Sequence, residues 1–480
     1  MFSLDNIKYK RVFEIFSQIA KIPHGSGDME KISDYCVDFA IKNGLKYKKD
    51  SACNVIIYKN ATFGYEKSEP IILQGHLDMV CQAEDDYQID FENEGLKLYR
   101  EDDFIKAQGT TLGADNGIAV AMVMAILEDK ALSHPKIEAV FTTDEEIGML
   151  GATALDERLL TAKRMINIDS EEENIITASC AGGIGFSAKI PFKLENRSGK
   201  TVEINLFGLM GGHSGTQIDK GRVNADTLLG RVLNWLNSRC EFALVSLSGG
   251  DKDNAIPKSS KAVFITEQPS AAIELLNDYL ADVKTEISAA EPQFSYSVQS
   301  GTENQCYAID KKSADSIIFA LCATPQGVVN FSSEIENLVE TSLNLGVLKT
   351  ENNAVYLNYA LRSNKASALA ALTEKLKAFY SPIECETETN GFYPPWEFKK
   401  NSEFREIYAD TYNELFGEKP QINAIHAGLE CAVFSSKISG LDCISVGPNL
   451  YDIHTHNERM SIKSVDRIFE LLITVLKKLK

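Results

Sequence analysis

No long apolar run is present: nothing approaches the roughly 20 residues that a membrane-spanning helix needs. A basic surface is lacking too. Lys and Arg number 49 against 68 Asp and Glu, a formal charge of −19. Phosphate backbones and anionic membranes both call for the opposite sign, so neither nucleic acid nor membrane is an expected partner. Ten cysteines are scattered between Cys36 and Cys443 without a C-x-x-C pair. That spacing suits neither a zinc ribbon nor a disulfide framework. Free thiols fit a reducing cytoplasm, and any metal must be held by nitrogen and oxygen. Near the start, Asp5, Lys8, Lys10, Arg11, Glu14 and Lys21 break up any secretory h-region. A cytoplasmic location is expected.

What is there is an ordinary globular balance, 44% hydrophobic and 24% charged over 480 residues. Two domains is the natural expectation at this length. Apolar spacing predicts helices over 10–21 and 31–43, and strands over 54–58, 70–73, 137–142 and 165–168. An apolar helix is read over 117–129. Strands alternating with helices imply an α/β layer, a mixed and mostly parallel sheet between helices. Beyond about residue 183 the habit changes to α+β, with helices near 222–238, 271–289, 313–323 and 366–380. A hairpin falls at Asn352-Asn353. This reads as two α+β units of one ferredoxin-like design, inserted together. The α/β style resumes with a helix near 402–416, a strand near 441–446 and a helix over 463–478. The expected organisation is a discontinuous core domain, 1–183 with 391–480, interrupted by an insert, 184–390.

Chemistry-bearing residues gather just beyond the predicted core strands. His76 and Asp78 stand in Gln74-Gly-His-Leu-Asp, where a carboxylate accepting one imidazole N–H fixes which nitrogen is left for metal. Asp115, in Thr110-Thr-Leu-Gly-Ala-Asp-Asn-Gly, precedes the apolar helix and could equally be its N-cap. Glu145 and Glu146 follow a strand in Thr143-Asp-Glu-Glu-Ile-Gly. Neighbouring side chains point different ways, so one can bind metal while the other moves a proton. Asp169 ends Arg164-Met-Ile-Asn-Ile-Asp. His454 lies in Tyr451-Asp-Ile-His-Thr-His-Asn-Glu, with His456 as its rival. Each of these alone has a bland reading as a solvated turn or a cap. Jointly they sit at the edge where open α/β sheets build sites. Two imidazoles and three carboxylates suit borderline ions such as zinc, and the charge balance favours two of them.

Taken together, these motifs resemble the M20 metallopeptidases, most closely the aminoacyl-histidine (Xaa-His) dipeptidase branch. The matching segments are 74–78, 110–117, 142–148, 167–171, 211–225 and 425–431. The resemblance implies hydrolysis of dipeptides, Xaa-His and carnosine-like ones included, by a water between two divalent ions. Zinc is the expected ion, with cobalt and manganese also suited. It implies that His76 and Asp169 hold one ion and Glu146 and His454 the other, with Asp115 bridging over a cis Asp115–Asn116 bond. Glu145 becomes the general base and Asp78 the support of His76. In the family the last ligand stands in His-Ser-Pro-Asp-Glu; here the pattern is His454-Thr-His-Asn-Glu. The insert resembles the family's lid. His213, in Gly211-Gly-His-Ser-Gly, would serve the scissile carbonyl; Asn254 and Arg362 would bind substrate. Arg suits a peptide carboxylate because its fork donates two parallel hydrogen bonds. His426 and Glu430 receive no firm role. A small peptide substrate and a homodimer are expected. The alternatives are a tripeptidase, an N-acyl-amino-acid hydrolase or a non-catalytic binding homologue.

Overall fold

Strand Ile71–His76 is buried along its whole length, as befits a strand with helices over both faces of its sheet. It lies inside an eight-stranded sheet. The order is Lys46–Lys49, Val55–Lys59, Ile137–Thr142, Ile71–His76, Arg164–Asn167, Asp442–Ser445, Ile175–Cys180 and Gln421–Ile425. The four central members, from Ile137–Thr142 to Asp442–Ser445, run parallel. Val55–Lys59 pairs antiparallel with both Ile137–Thr142 and Lys46–Lys49, and Ile175–Cys180 pairs antiparallel with Asp442–Ser445, so the sheet is mixed. The computed structural model describes residues 3–302 and 305–480.

Helix Ala114–Glu128 is apolar all round and buried from Asn116 to Leu127, the pattern of a helix with no wet face. Helix Lys10–Ile19 packs against it through an amphipathic stripe that buries Val12, Phe13, Ile15, Phe16 and Ile19. Asp115 and Asn116 have non-helical torsions and a cis peptide bond between them, so the regular helix starts where its apolar pattern starts. A hairpin of Leu98–Glu101 and Phe104–Ala107 joins Arg459–Ser461 and Leu450–Tyr451 in a small sheet. These strands are short and partly polar, and periodicity did not announce them.

The chain divides into two units: Met1–Cys180, Phe398–Ala424 and Leu429–Lys480 form one, Ala181–Glu397 and Ile425–Gly428 the other. The second unit is built on an antiparallel sheet. Its order is Ser295–Ser300, Lys200–Phe207, Ser260–Thr266, Ala243–Gly249, Val339–Glu351, Ala354–Ser363, Gly182–Pro191 and Glu386–Tyr393, with Gly327–Phe331 paired to Val339–Glu351 off this path. Within the sheet, Ala243–Gly249 pairs with Val339–Glu351 at two positions, Ser248 with Lys349 and Gly249 with Leu348. Helices Ala225–Asn237, Pro269–Ile287, Lys311–Ala323 and Ala366–Tyr380 bury apolar side chains in one core with it. Among the described residues no helix is long and apolar enough to cross a membrane.

Candidate metal centre

Three central parallel strands end side by side, and the loops beyond two of them carry Glu146 and Asp169. His76 is the last residue of its strand. Its main-chain N–H donates to Asn116 Oδ1 at 3.1 Å, while Asn116 Nδ2 donates to the carbonyl of Ile168 at 2.6 Å. Asn116 thus ties the His76 strand, the Asp169 loop and the Asp115 turn together. Gly75 makes room for it: a Cβ there would lie 2.4 Å from Asn116 Oδ1.

The imidazoles and carboxylates converge. His76 Nε2 is 3.2 Å from Asp115 Oδ1 and 3.4 Å from Asp169 Oδ1. His454 Nε2 is 3.2 Å from Asp115 Oδ2 and 2.9 Å from Glu146 Oε1. One ligand atom each of His76, Asp115 and Glu146 fall within 4.8 Å of one another. His454 and Asp144 both hold left-handed backbone, at φ 60° and 53°, a conformation non-glycine residues rarely adopt outside constrained loops.

Asp78 does something different from what alternation along a strand suggests. The strand stops at His76, and His76 Nδ1 finds its nearest acceptor in the main-chain carbonyl of Asp78, 3.0 Å away, with Asp78 Oδ1 at 3.4 Å. Asp78's carboxylate instead accepts the main-chain N–H groups of Glu145 at 3.0 Å and Glu146 at 3.1 Å, and the Ser26 hydroxyl at 2.9 Å. One carboxylate therefore holds the acidic turn, while Nδ1, as a donor, leaves Nε2 facing the acids.

Electrostatics mark the cluster as a cation site. Burial opposes charge on His76, yet Asp169, Asp115 and Asp78 lift its pKa well above the usual value. Donating hydrogen bonds to Asp115 and Glu146 raises His454 to about 10. Burial, reinforced by Asp115 and Glu146, pushes Asp169 up to about 6 against the pull of His76. Burial also holds Glu145 well above the carboxylate range. Several acids share this space with two imidazoles, which makes it a candidate site for a cation. The nitrogen and oxygen donor set suits divalent zinc and its neighbours.

Sequence reasoning left two carboxylates without a role. Glu430, fully buried at the start of helix Glu430–Lys437, accepts from Gln74 Nε2 at 2.5 Å and Thr142 Oγ1 at 2.7 Å. Gln74 accepts in turn from Asn167 Nδ2 at 2.6 Å, so side chains of three adjacent strands are linked behind the ligands. Glu458 is the other. It closes the His454-Thr-His-Asn-Glu pattern, which was the available signal.

In the second unit, His213 pairs with Ala255, and Ser214 N–H donates to the carbonyl of Asn254 at 2.8 Å, so Asn254 lies beside His213. His213 Nδ1 accepts from the N–H groups of Gly215 at 3.2 Å and Thr216 at 3.1 Å. Arg362, 9% exposed, donates to the Tyr393 hydroxyl at 2.8 Å, and its Nε has no partner among the described residues. His426 bonds Ser342 Oγ at 2.7 Å; burial first, then the charges of Arg362 and His213, depress it to about 3. His213, Arg362 and His426 thus form one cluster.

A mixed α/β sheet whose parallel central strands gather imidazoles and carboxylates at their ends in this way is the frame of a metal-dependent hydrolase. The model described as peptidase family M20/M25/M40 matches residues 72–478, and the chain belongs to that family. It is 36% identical over its full length to 99% of the cytosol non-specific dipeptidase of Escherichia coli. It is similar as well to the crystal structure of aminoacylhistidine dipeptidase from Vibrio alginolyticus. There the TM-score is 0.92 and the identity 34%, over 99% of this chain and 98% of that one. The aminopeptidase PepT from Bacillus cereus, at 16% identity and a TM-score of 0.59 over 98% and 99% of the two chains, shares the fold.

Proposed function

We propose that the chain hydrolyses unblocked dipeptides, Xaa-His substrates among them, at a centre of two divalent ions. The observation that carries this is Asp115, whose two carboxylate oxygens each lie 3.2 Å from a different imidazole. A carboxylate so placed would bridge two ions, of which His76 and Asp169 would hold one and Glu146 and His454 the other. Zinc is the proposed ion; cobalt and manganese suit the same donors. Bound there, such ions supply Lewis acidity and a water of lowered pKa. The dipeptide assignment is supported by the 34–36% identity, over essentially the whole chain, to an aminoacylhistidine dipeptidase and a non-specific dipeptidase.

The remaining roles belong to this chain's own residues. Glu145, held through its main chain by Asp78, takes a proton from the attacking water and returns it to the leaving amine. The second unit acts as a lid of two ferredoxin-like halves, a reading its strand order supports. His213 has Nδ1 occupied as an acceptor, so its proton sits on Nε2, ready to be donated to a developing oxyanion. Arg362 reads the peptide's terminal carboxylate, and Asn254 contacts the peptide. A cytoplasmic setting is supported by cysteines held as thiols rather than as disulfides. A homodimer remains the expected assembly and is checked by light scattering.

The test is a screen of metal-reconstituted protein against Xaa-His and other dipeptides, tripeptides and N-acyl amino acids. Dipeptides should be cleaved, and a chelator should abolish the activity. Preference for tripeptides or N-acyl amino acids would replace the substrate assignment; no hydrolysis at all would sink the enzyme reading.

A further inference from the structure

An α-helix leaves its first N–H groups without intrahelical partners, and a nearby side chain usually satisfies them. Helix Ala114–Glu128 has Gly113 at its N-cap, with no side-chain cap. The Asp115 carboxylate, the natural local alternative, is turned to His76 and His454. The turn that leads into this helix, 112–115, has its four amides satisfied from elsewhere in the chain. Glu458 Oε2 accepts the N–H groups of Leu112 at 2.7 Å and Gly113 at 3.1 Å, and Oε1 accepts those of Ala114 at 2.9 Å and Asp115 at 3.3 Å. The Glu458 side chain is 3% exposed.

We infer that Glu458 is a positioning residue for the metal centre: it caps the Asp115 turn from a distant part of the chain, releasing the Asp115 carboxylate for metal, and fixes His454 opposite it. The inference rests on the reading that Asp115 and His454 hold metal. Its second half follows from the turn that carries both Glu458 and His454. Thr455 Oγ1 donates to the Asp452 carbonyl at 2.7 Å, Asn457 N–H to Thr455 Oγ1 at 3.1 Å, and Glu458 N–H to the Thr455 carbonyl at 3.1 Å. Arg459 pairs with Asp452 across the same turn. A turn cross-linked in this way moves as one piece. Anchoring it to the Asp115 loop by four hydrogen bonds from main-chain N–H groups therefore sets the separation between His454 Nε2 and Asp115 Oδ2. Each Glu458 oxygen already receives two donors, so an amide group replacing one of them would point N–H at N–H.

The experiment titrates metal-free wild type, Asp115→Asn and Glu458→Gln with Zn2+ against a chromogenic competing chelator, alongside dipeptide kinetics and circular dichroism. Glu458→Gln should keep the fold but bind metal about 10- to 100-fold more weakly, the usual cost of losing a group that orients ligands. At saturating metal, kcat should fall more than KM rises. If Asp115→Asn binds both ions like wild type, the site reading itself fails. If Asp115→Asn loses metal while Glu458→Gln retains wild-type affinity, only the positioning role is overturned. Should Glu458→Gln not fold, hydrogen exchange on metal-free wild type decides. The amides of residues 112–115 should exchange as slowly as those of the central strands, and exchange at the rate of an exposed loop would overturn the inference.

Discussion

Asp78 holds Glu145 by its main chain: the Asp78 carboxylate accepts the Glu145 N–H at 3.0 Å, and that of Glu146 at 3.1 Å. The same residue presents its carbonyl to His76 Nδ1. It therefore governs the proposed base and two proposed ligands at once. Asp78→Asn keeps the shape but turns an amide group toward a backbone donor. We expect metal affinity to fall about 10- to 100-fold, with turnover reduced even at saturating metal. Metal titration combined with kcat measured at saturation checks this. Turnover restored fully by added metal would leave Asp78 only an orienter of His76.

Glu145→Gln separates proton transfer from metal binding. Both ions should remain, because Glu145 is not among the proposed ligands. Dipeptide turnover should drop by about two to four orders of magnitude, the range expected for losing a general base. Metal content by plasma emission and kcat on the same sample give the answer. Substantial residual activity would remove Glu145 from its role.

Asp115→Asn tests the bridge. A carboxylate that faces both imidazoles should cost both ions when neutralised. Finding one ion still bound at wild-type affinity would assign Asp115 to a single site.

Arg362→Ala should raise KM for free dipeptides strongly while leaving kcat less affected, since a fork that reads a terminal carboxylate contributes to binding. The control is the same dipeptides with amidated C-termini. If the variant still prefers free over amidated substrate as wild type does, Arg362 does not read the carboxylate.

Stability of the metal-free protein should fall as pH rises. Burial sets Asp169 at about 6, Glu171 at about 7 and Glu430 at about 8, and the hydrogen bonds that His454 donates to Asp115 and Glu146 set it at about 10. All four lie above their unfolded values, so the folded state holds more protons across this window. Their contribution is complete below the unfolded pKa and is lost as pH passes the folded one. The thermal midpoint of metal-free protein should therefore decline between about pH 6 and pH 10, and divalent metal should reverse the decline by displacing the protons. A midpoint that rises over that window would contradict the cluster as described.

Much of this was legible in sequence because the signals are local. Strand Ile137–Thr142 has the bounds its apolar run suggests, and helices Lys311–Ala323 and Ala366–Tyr380 fall within two residues of their apolar patterns. The asparagine pair at 352–353 takes the left-handed torsions, φ 52° and 57°, that its hairpin needs. The hairpin strands Leu98–Glu101 and Phe104–Ala107 were not legible: they expose alternate residues and are only four residues long, too short for a period to emerge. Nor could Ile425–Gly428 be placed with the second unit. That depends on the bond of Ala181 N–H to the Ile425 carbonyl and on the hydrogen bonds of His426.

By itself the sequence determined which residue types the centre contains and that they follow strand ends, since composition, periodicity and motif order are properties of the chain. Only the tertiary structure decided how they are held. Asp115 can be read from sequence as a helix cap; in the fold Glu458, 346 residues from Leu112, takes over the capping and the Asp115 carboxylate turns to the imidazoles. Hydrogen bonds between residues so far apart leave no period or spacing in the sequence, because they exist only once the chain has brought its ends together.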